Sequence, residues 1–222
     1  MDDRLAKTVY KNDMNSYQAE QLHALGIIRR HASKPKKPET LREAKAKGFD
    51  LKAQLSGYLV FREEISRFFA RWFEDICTEN CYTSGLSACC SKDGIIVFWA
   101  DMVINALVSG PAELNRLEAA IRNPASDSKC IYLAPGGCTW RIKPIVCEMF
   151  ICPDAENAVF ARHPEAGSAW SDIRERKKAF TWPDRPVLFE VLESIFIEDG
   201  CRSSLMHVHN SPGLQRLVRN RA

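Results

Sequence analysis

The sequence lacks a long apolar run. A membrane-spanning helix needs about 20 consecutive apolar residues, and the longest candidate, Gly94 to Leu107, is interrupted by Asp101 and Asn105. The first residues also lack the apolar stretch and the small-residue cleavage site of an export signal. We therefore expect a cytoplasmic protein, held in a reducing environment and without a membrane partner.

Motifs that mark common enzyme classes are also missing. The 222 residues contain no G-x-S-x-G nucleophile motif, no Walker loop and no dinucleotide-binding glycine fingerprint. Basic residues gather between Arg29 and Lys47 and again after Gly200, but no aromatic residue that could stack on a base lies among them. We therefore do not expect nucleic acid as a partner.

Cysteine, in contrast, is abundant: the chain has nine, and eight of them lie between positions 77 and 152. Buried thiols are normally scattered through a core as small hydrophobic groups, so this crowding favours a common role. Disulfides need an oxidising compartment, and the adjacent Cys89 and Cys90 would have to reach separate partners. We favour metal ligation, with a disulfide scaffold and incidental core thiols as the alternatives.

The eight cysteines form two groups of four. The first group is Cys77, Cys81, Cys89 and Cys90, and the second is Cys130, Cys138, Cys147 and Cys152. The turn sequence Pro135-Gly136-Gly137 is placed to fold Cys138 back toward Cys130. Four thiolates hold either one Zn²⁺ or a [4Fe–4S] cluster, and the spacings match neither a zinc ribbon nor a bacterial ferredoxin. The cofactor is therefore an iron–sulfur cluster or Zn²⁺, and both stay open.

The apolar pattern predicts a mainly α fold with minor β structure, in which the cysteine segment is rich in loops. Asp101 is expected to cap the N-terminus of a helix that reaches Leu107, and Ile95 to Phe98 is expected to be extended. The other predicted helices are Ser16 to Arg30, Leu51 to about Ile76, Ala112 to Arg122, Ala169 to Ala179, Pro186 to Ile197 and Gly213 to Asn220.

Three parts are predicted along the chain. Residues 1–50 would form an N-terminal helix and a basic linker, because Pro35 and Pro38 interrupt the helical pattern there. Residues 51–152 would form the cysteine-cluster metal-binding domain. Residues 153–222 would form a helical extension that packs on this domain.

Several of these motifs resemble the YkgJ-like cysteine-cluster family, whose members are described as zinc- or iron-chelating domains. The resemblance rests on a Cys-Cys pair after two upstream cysteines, on the segment GIIVFWAD, and on Cys130-Ile131-Tyr132-Leu133. It continues with Cys138, Trp140, Lys143-Pro144, and Cys147 followed by Phe150. It implies metal ligation by Cys77, Cys81, Cys89, Cys90, Cys130, Cys138 and Cys147, and Cys152 joins them by proximity.

Other residues are weaker candidates for the same site. His207 and His209 would share one face of an extended segment, and Cys201 and His163 are further possible ligands. The simpler interpretation is that the two histidines are exposed polar side chains and that Cys201 is buried. Glu148 follows Cys147 and could be an oxygen ligand or a proton carrier, but we favour a pairing with Lys143 or Arg141. Trp99, Trp140 and Phe150 could shield a metal centre, although core packing is the simpler interpretation.

Three functions are compatible with these features. We favour a metal-binding protein with a structural or electron-transfer role toward a protein partner, because eight thiolates exceed what an open catalytic site usually keeps. One alternative is a cluster- or zinc-dependent enzyme, for example a methyltransferase, since flagellin lysine methylases resemble the same family. The other is a metal-delivery or redox-sensing protein with exposed thiolates. No catalytic residue is assigned.

Overall fold

The computed structural model describes residues 18–29, 50–79, 97–123, 130–134, 137–181, 187–203 and 205–206. Within these ranges the chain is mainly helical, as predicted, and its strands form one two-stranded sheet. The elements in order are α1 (18–29), α2 (Leu51–Trp72), α3 (Glu74–Cys77), α4 (Trp99–Val108), α5 (Pro111–Arg122), β1 (Leu133–Ala134), β2 (Gly137–Cys138), α6 (Ile145–Glu148), α7 (Pro153–Arg162), α8 (Pro164–Thr181) and α9 (Leu188–Glu198).

Helix α2 is the long amphipathic helix that the sequence predicts. It begins after Asp50, whose carboxylate accepts hydrogen bonds from the backbone N–H groups of Lys52 and Ala53 at 3.0 and 3.1 Å. Its buried face follows the helical repeat through Tyr58, Phe61, Ile65 and Phe68. The helix is interrupted at Phe73, and α3 then ends at Cys77.

Helix α4 begins three residues earlier than predicted. Trp99 is its first residue and Phe98 occupies the N-cap position, so the prediction that Asp101 caps the helix is wrong. Asp101 lies in the first turn instead, where its carboxylate accepts the N–H of Phe98 at 3.0 Å. The early start is stabilised from outside the helix, because the N–H of Trp99 donates to the carbonyl of Leu205 at 3.2 Å.

Proline and glycine set several helix ends. Helices α5, α7 and α8 each begin at a proline, where a missing N–H costs nothing. Helix α7 was not predicted. Helix α9 agrees with its prediction, and Gly200 follows it with a φ of 80°. The N–H groups of Gly200 and Cys201 donate to the carbonyls of Ile197 and Phe196, a Schellman motif.

The remaining predicted segments lie only partly within the residues that the structure describes. Helix α1 confirms the N-terminal helix over its described residues, whereas Gly213 to Asn220 lies outside them. In the predicted extended piece, positions 95 and 96 also lie outside, and Val97 and Phe98 belong to neither a helix nor a strand. The division into three parts stays a prediction.

One hydrophobic core joins most of the helices. It contains buried residues from α1, α2, α4, α5, α7, α8 and α9. Helix α8 packs on α2 through stacked rings, with Phe68 against Trp170 and Phe61 against Phe180, both at centroid distances of 5.3 Å. None of the described helices is long and apolar enough to cross a membrane. The cysteine segments lie at the edge of this core.

Candidate metal centre

A short β-hairpin carries the first cysteines of the second group. Strands β1 and β2 pair antiparallel, with Leu133 opposite Cys138 and Ala134 opposite Gly137. Gly137 has a φ of 102°, a conformation that favours glycine. The N–H of Leu133 donates to the carbonyl of Cys130 at 3.0 Å. The register therefore folds Cys138 back along the chain toward Cys130, as the turn sequence predicts.

The segment around Cys147 is fixed to α2 by Arg62. The guanidinium donates from Nε to Glu148 Oε2 at 2.9 Å and from Nη2 to the carbonyl of Lys143 at 2.6 Å, and Nη2 also contacts Glu148 Oε2. Ser66 Oγ donates to the second carboxylate oxygen of Glu148 at 2.8 Å. Arg62 thus holds the chain on both sides of Cys147.

Helix α4 fixes the same segment from another direction. Asp101 Oδ1 accepts the N–H of Ile145 at 3.2 Å. Asn105 binds both backbone groups of Ile142, accepting its N–H at 3.0 Å and donating to its carbonyl at 2.7 Å. We call Arg62, Asp101, Asn105 and Glu148 the polar clasp. Its contacts fix the backbone from Ile142 to Glu148.

The polar clasp buries ionisable groups. Burial raises the pKa of Asp101 from an ordinary value of 3.8 to about 6, although the N–H of Phe98 and the charge of Arg62 oppose this shift. Burial also raises the pKa of Tyr58, whose hydroxyl accepts a hydrogen bond from Arg62 Nη1 at 2.7 Å. The tyrosine therefore stays neutral, and the clasp is a low-dielectric site in which each charge depends on its partners.

Glu148 has a different partner from the predicted one. The expected pairing with Lys143 or Arg141 is wrong, because the carboxylate binds Arg62 of α2, and Arg141 instead contacts Glu113 at 3.3 Å. The sequence did not reveal Arg62, because a charged residue within an amphipathic helix is normally assigned to the solvent face. Whether Glu148 also ligates a metal or moves a proton stays a prediction.

The candidate ligands are distributed as follows. Cys77, Cys130, Cys138, Cys147, Cys152 and Cys201 are all half-buried, whereas Cys81, Cys89, Cys90, His207 and His209 lie outside the described residues. Within the described ranges, no three His, Cys, Asp or Glu side chains lie together so that they could hold a metal ion. The structure therefore brings no full ligand set together among those residues, and the eight-cysteine set stays a prediction.

The remaining candidates are placed individually. His163 packs against the ring of Trp72 at a centroid distance of 5.0 Å, and its Nδ1 lies 3.4 Å from Glu165. Trp99 and Trp140 are buried in the core, as the simpler interpretation expects. That interpretation is wrong for Phe150, which is 45% exposed because it lies beyond the end of α6.

A second polar group surrounds Tyr132, next to the hairpin. Its hydroxyl donates to Gln21 Oε1 of α1, its carbonyl accepts the N–H of Thr139 at 2.8 Å, and its ring packs edge-on against Trp140 at 5.1 Å. Gln21 Nε2, Thr139 Oγ1 and Trp140 Nε1 are buried and have no hydrogen-bond partner within the part of the chain that the structure describes. Sequence patterns gave no indication of Gln21.

Comparison of the chain with protein-family models, with curated proteins and with solved structures finds no match. The likeness to the YkgJ-like family therefore stays a prediction, and the function has to be argued from the site itself. Soft thiolate donors suit zinc and iron–sulfur clusters equally. The half-buried Cys130, Cys138, Cys147 and Cys152 are the residues of the second group that would hold either one.

Proposed function

We propose that this chain is a cysteine-ligated metal-binding protein that holds zinc or an iron–sulfur cluster and has a structural or electron-transfer role toward a protein partner. The main support is the position of the clustered cysteines. Structural thiols are among the most buried side chains in proteins, yet Cys77, Cys130, Cys138, Cys147 and Cys152 are all half-buried. Half-burial leaves each thiol partly accessible, as the uptake of a metal would require.

The polar clasp gives further support. Its contacts from two helices hold the backbone from Ile142 to Glu148, on both sides of Cys147, and they bury charged groups to do so. Buried charges lower the stability of a fold unless they are fully paired. Metal sites use such supporting contacts to hold a ligand in its binding position. The predicted resemblance of the motif order to the YkgJ-like family agrees with this proposal.

The two metals would give the site different chemistry. Four thiolates around Zn²⁺ make a closed centre whose binding energy stabilises the fold, whereas an iron–sulfur cluster adds the ability to carry an electron. In either case the residues of the clasp orient Cys147, and the aromatic side chains of the core limit the access of water. These protein contributions do not depend on which metal is bound.

The first experiment measures metal and acid-labile sulfide, together with the absorption spectrum, on protein purified without oxygen. Iron with about four sulfides per chain and a broad visible band would identify an electron-carrying cluster. Zinc at about one or two per chain without colour would identify a structural site. A chain that contains neither metal, and takes up neither when reduced, would contradict the proposal.

Cysteine variants then test the ligand set. We expect Cys138→Ser and Cys147→Ser, and equally Cys89→Ser and Cys90→Ser, to lose metal and to lower the thermal midpoint, because metal affinity is folding free energy. Cys201→Ser is the matched control, since Cys201 is half-buried as well but lies outside the cluster. Full metal content in the cluster variants would rule out the assignment.

A further inference from the structure

The solvent-facing side of helix α5 carries no exposed acidic residue. Its exposed positions are small, polar or basic, and they are Pro111, Ala112, Asn115, Arg116, Ala119 and Arg122. Its two glutamates, Glu113 and Glu118, are half-buried and flank the side of the helix that packs on the core through Leu117 and Ile121. A molecule that approaches this helix from solvent therefore meets no exposed carboxylate on it.

Arginines from three parts of the chain cover the two glutamates. Glu118 Oε1 accepts from Nε and Nη2 of Arg122 at 3.0 and 2.7 Å, and its Oε2 contacts Nη1 of Arg29 at the end of α1. On the other side of the helix, Arg141 contacts Glu113 at 3.3 Å. The arginine side chains are 36%, 57% and 50% exposed, against 23% and 30% for the glutamates. The arginines thus lie on the solvent side of the acids.

Positive charge is in excess at this surface. Arg116 lies on the exposed side of α5 as well, so four arginines meet two glutamates there. Arg29 is also the first of the eight basic residues between positions 29 and 47, a stretch with two acidic ones. Helix α8 is different, because Asp172 and Glu175 lie exposed among its basic residues. A surface of one charge sign attracts a partner of the opposite sign.

An acidic segment of another protein is the partner that this surface favours. The planar guanidinium group binds carboxylates through two parallel hydrogen bonds. Helix α5 has no aromatic residue on which a nucleic-acid base could stack. Ala112 and Ala119 lie between Arg116 and Arg122 on the exposed side, so short side chains leave room for the backbone of a partner.

We propose that Arg29, Arg116, Arg122 and Arg141 form a docking surface around α5, the arginine face, that binds an acidic segment of a protein partner. This inference rests on the partner role in the proposed function and not on its metal. The twelve residues of α5 span about 18 Å, so a partner segment of about that length would cover the face.

The test measures binding of a fluorescent peptide of about twelve glutamates to the full chain at low salt, by anisotropy. The double variant Arg116→Glu with Arg122→Glu reverses two charges on the arginine face. We expect its Kd to rise roughly tenfold or more, because like charges then meet the peptide. Circular dichroism checks its fold, and Arg116→Gln with Arg122→Gln, which only neutralises the charges, should give a smaller rise of the same sign.

The matched control reverses two charges on α8. Arg174 and Lys178 are exposed, and Lys178 pairs with Glu175 as Arg122 pairs with Glu118. We expect Arg174→Glu with Lys178→Glu to change the Kd by less than about twofold. An equal loss of affinity in the two double variants would overturn the inference, since the peptide would then respond to the net charge of the chain. Unchanged binding after reversal on the arginine face would overturn it as well.

A second measurement locates the contact on the wild-type chain. Phenylglyoxal modifies accessible arginines, and mass spectrometry follows each one. We expect the peptide to slow the modification of Arg116 and Arg122 and to leave Arg174 unaffected; equal protection of all three would contradict the proposal.

A single-stranded oligonucleotide of the same net charge separates the two kinds of partner. We expect it to bind more weakly than the peptide, because the arginine face offers no stacking surface. Tighter binding of the oligonucleotide, lost in the same double variant, would assign the face to nucleic acid and overturn the inference. Neither result depends on the metal content of the chain, so the metal site of the proposed function stands or fails separately.

Discussion

Helix α2 makes two arginine–glutamate contacts in opposite surroundings. Arg62 and Glu148 are 3% and 12% exposed, whereas Arg176 and Glu64 are 42% and 40% exposed. The exposed pair has the more regular geometry, a fork with N–O distances of 2.8 and 2.5 Å. We therefore expect exposure, and not geometry, to decide how much the loss of each contact lowers the free energy of unfolding. Water can replace the exposed partner but not the buried one.

The arginine of the buried contact also makes hydrogen bonds to more parts of the chain. Arg62 binds the hydroxyl of Tyr58 and the carbonyl of Lys143 as well as Glu148, so it joins α2 to both sides of Cys147. Arg176 joins α8 to Glu64 and to Asp172 within its own helix. The comparison indicates that the inner face of α2 positions the cysteine segment, while its outer face only adds to a helix contact that stacked rings already secure.

The largest effect is expected from Arg62→Met. The change leaves the carboxylate of Glu148 buried without its cation, and breaking a buried pair in this way costs about 3–5 kcal/mol of unfolding free energy. Urea unfolding of the metal-free chain measures it. A loss of less than about 1 kcal/mol would place this pair in the same class as an exposed one.

The double variant Arg62→Met with Glu148→Gln shows where that cost comes from. With no unpaired charge left, we expect it to be more stable than Arg62→Met alone. If the two variants are equally unstable, the loss comes from the bonds to Tyr58 and Lys143 and not from the orphaned carboxylate.

Much of the fold can be predicted from local sequence. The apolar residues of α2 repeat at helical intervals, and the Pro-Gly-Gly turn specifies the hairpin that returns Cys138 toward Cys130. Helix α7 was missed, because few apolar residues mark it, although Pro153 at its first position is a valid start signal. Local propensity thus accounts for the elements that have a strong pattern.

The supporting contacts of the site could not be predicted in this way. Arg62 reaches Glu148 across 86 positions, and Gln21 reaches Tyr132 across 111. The start of α4 likewise depends on the carbonyl of Leu205. Such pairings arise only when helices pack. The sequence therefore indicates the cysteines as candidate ligands, but it does not indicate the side chains that position them.

The next largest effect is expected in the pH dependence of stability, which should differ in sign between the buried polar clasp and the exposed Arg176–Glu64 pair. Below about pH 4 the Asp101 carboxyl is protonated in both the folded and the unfolded chain. Between about pH 4 and 6 the unfolded chain releases this proton while the folded chain retains it, because burial raises the folded pKa to about 6. The free energy of unfolding therefore falls as the pH rises through this range, by roughly 3 kcal/mol in total.

Asp101→Asn is the control for this effect, since its side chain stays neutral. The stability of the metal-free wild type relative to this variant should decrease from pH 4 to pH 6 and then stay level. Glu64 should act with the opposite sign, because its hydrogen bond from Arg176 lowers its pKa, so its contribution is lost as the pH falls. Parallel pH profiles of wild type and Asp101→Asn would contradict the assignment.

The smallest effect is expected from Arg176→Met. Exposed ion pairs contribute about 0–1 kcal/mol, and the methionine side chain can keep the apolar contact that Arg176 makes over the ring of Phe61. Salt at about 1 M shortens the screening length to roughly 3 Å, comparable to the N–O distances of this exposed fork, so it should reduce the stability difference between this variant and the wild type. The same salt should leave the Arg62→Met difference nearly unchanged, because solvent ions do not reach the buried pair. Equal salt sensitivity of the two differences, measured by urea unfolding, would show that burial does not distinguish the two faces of α2.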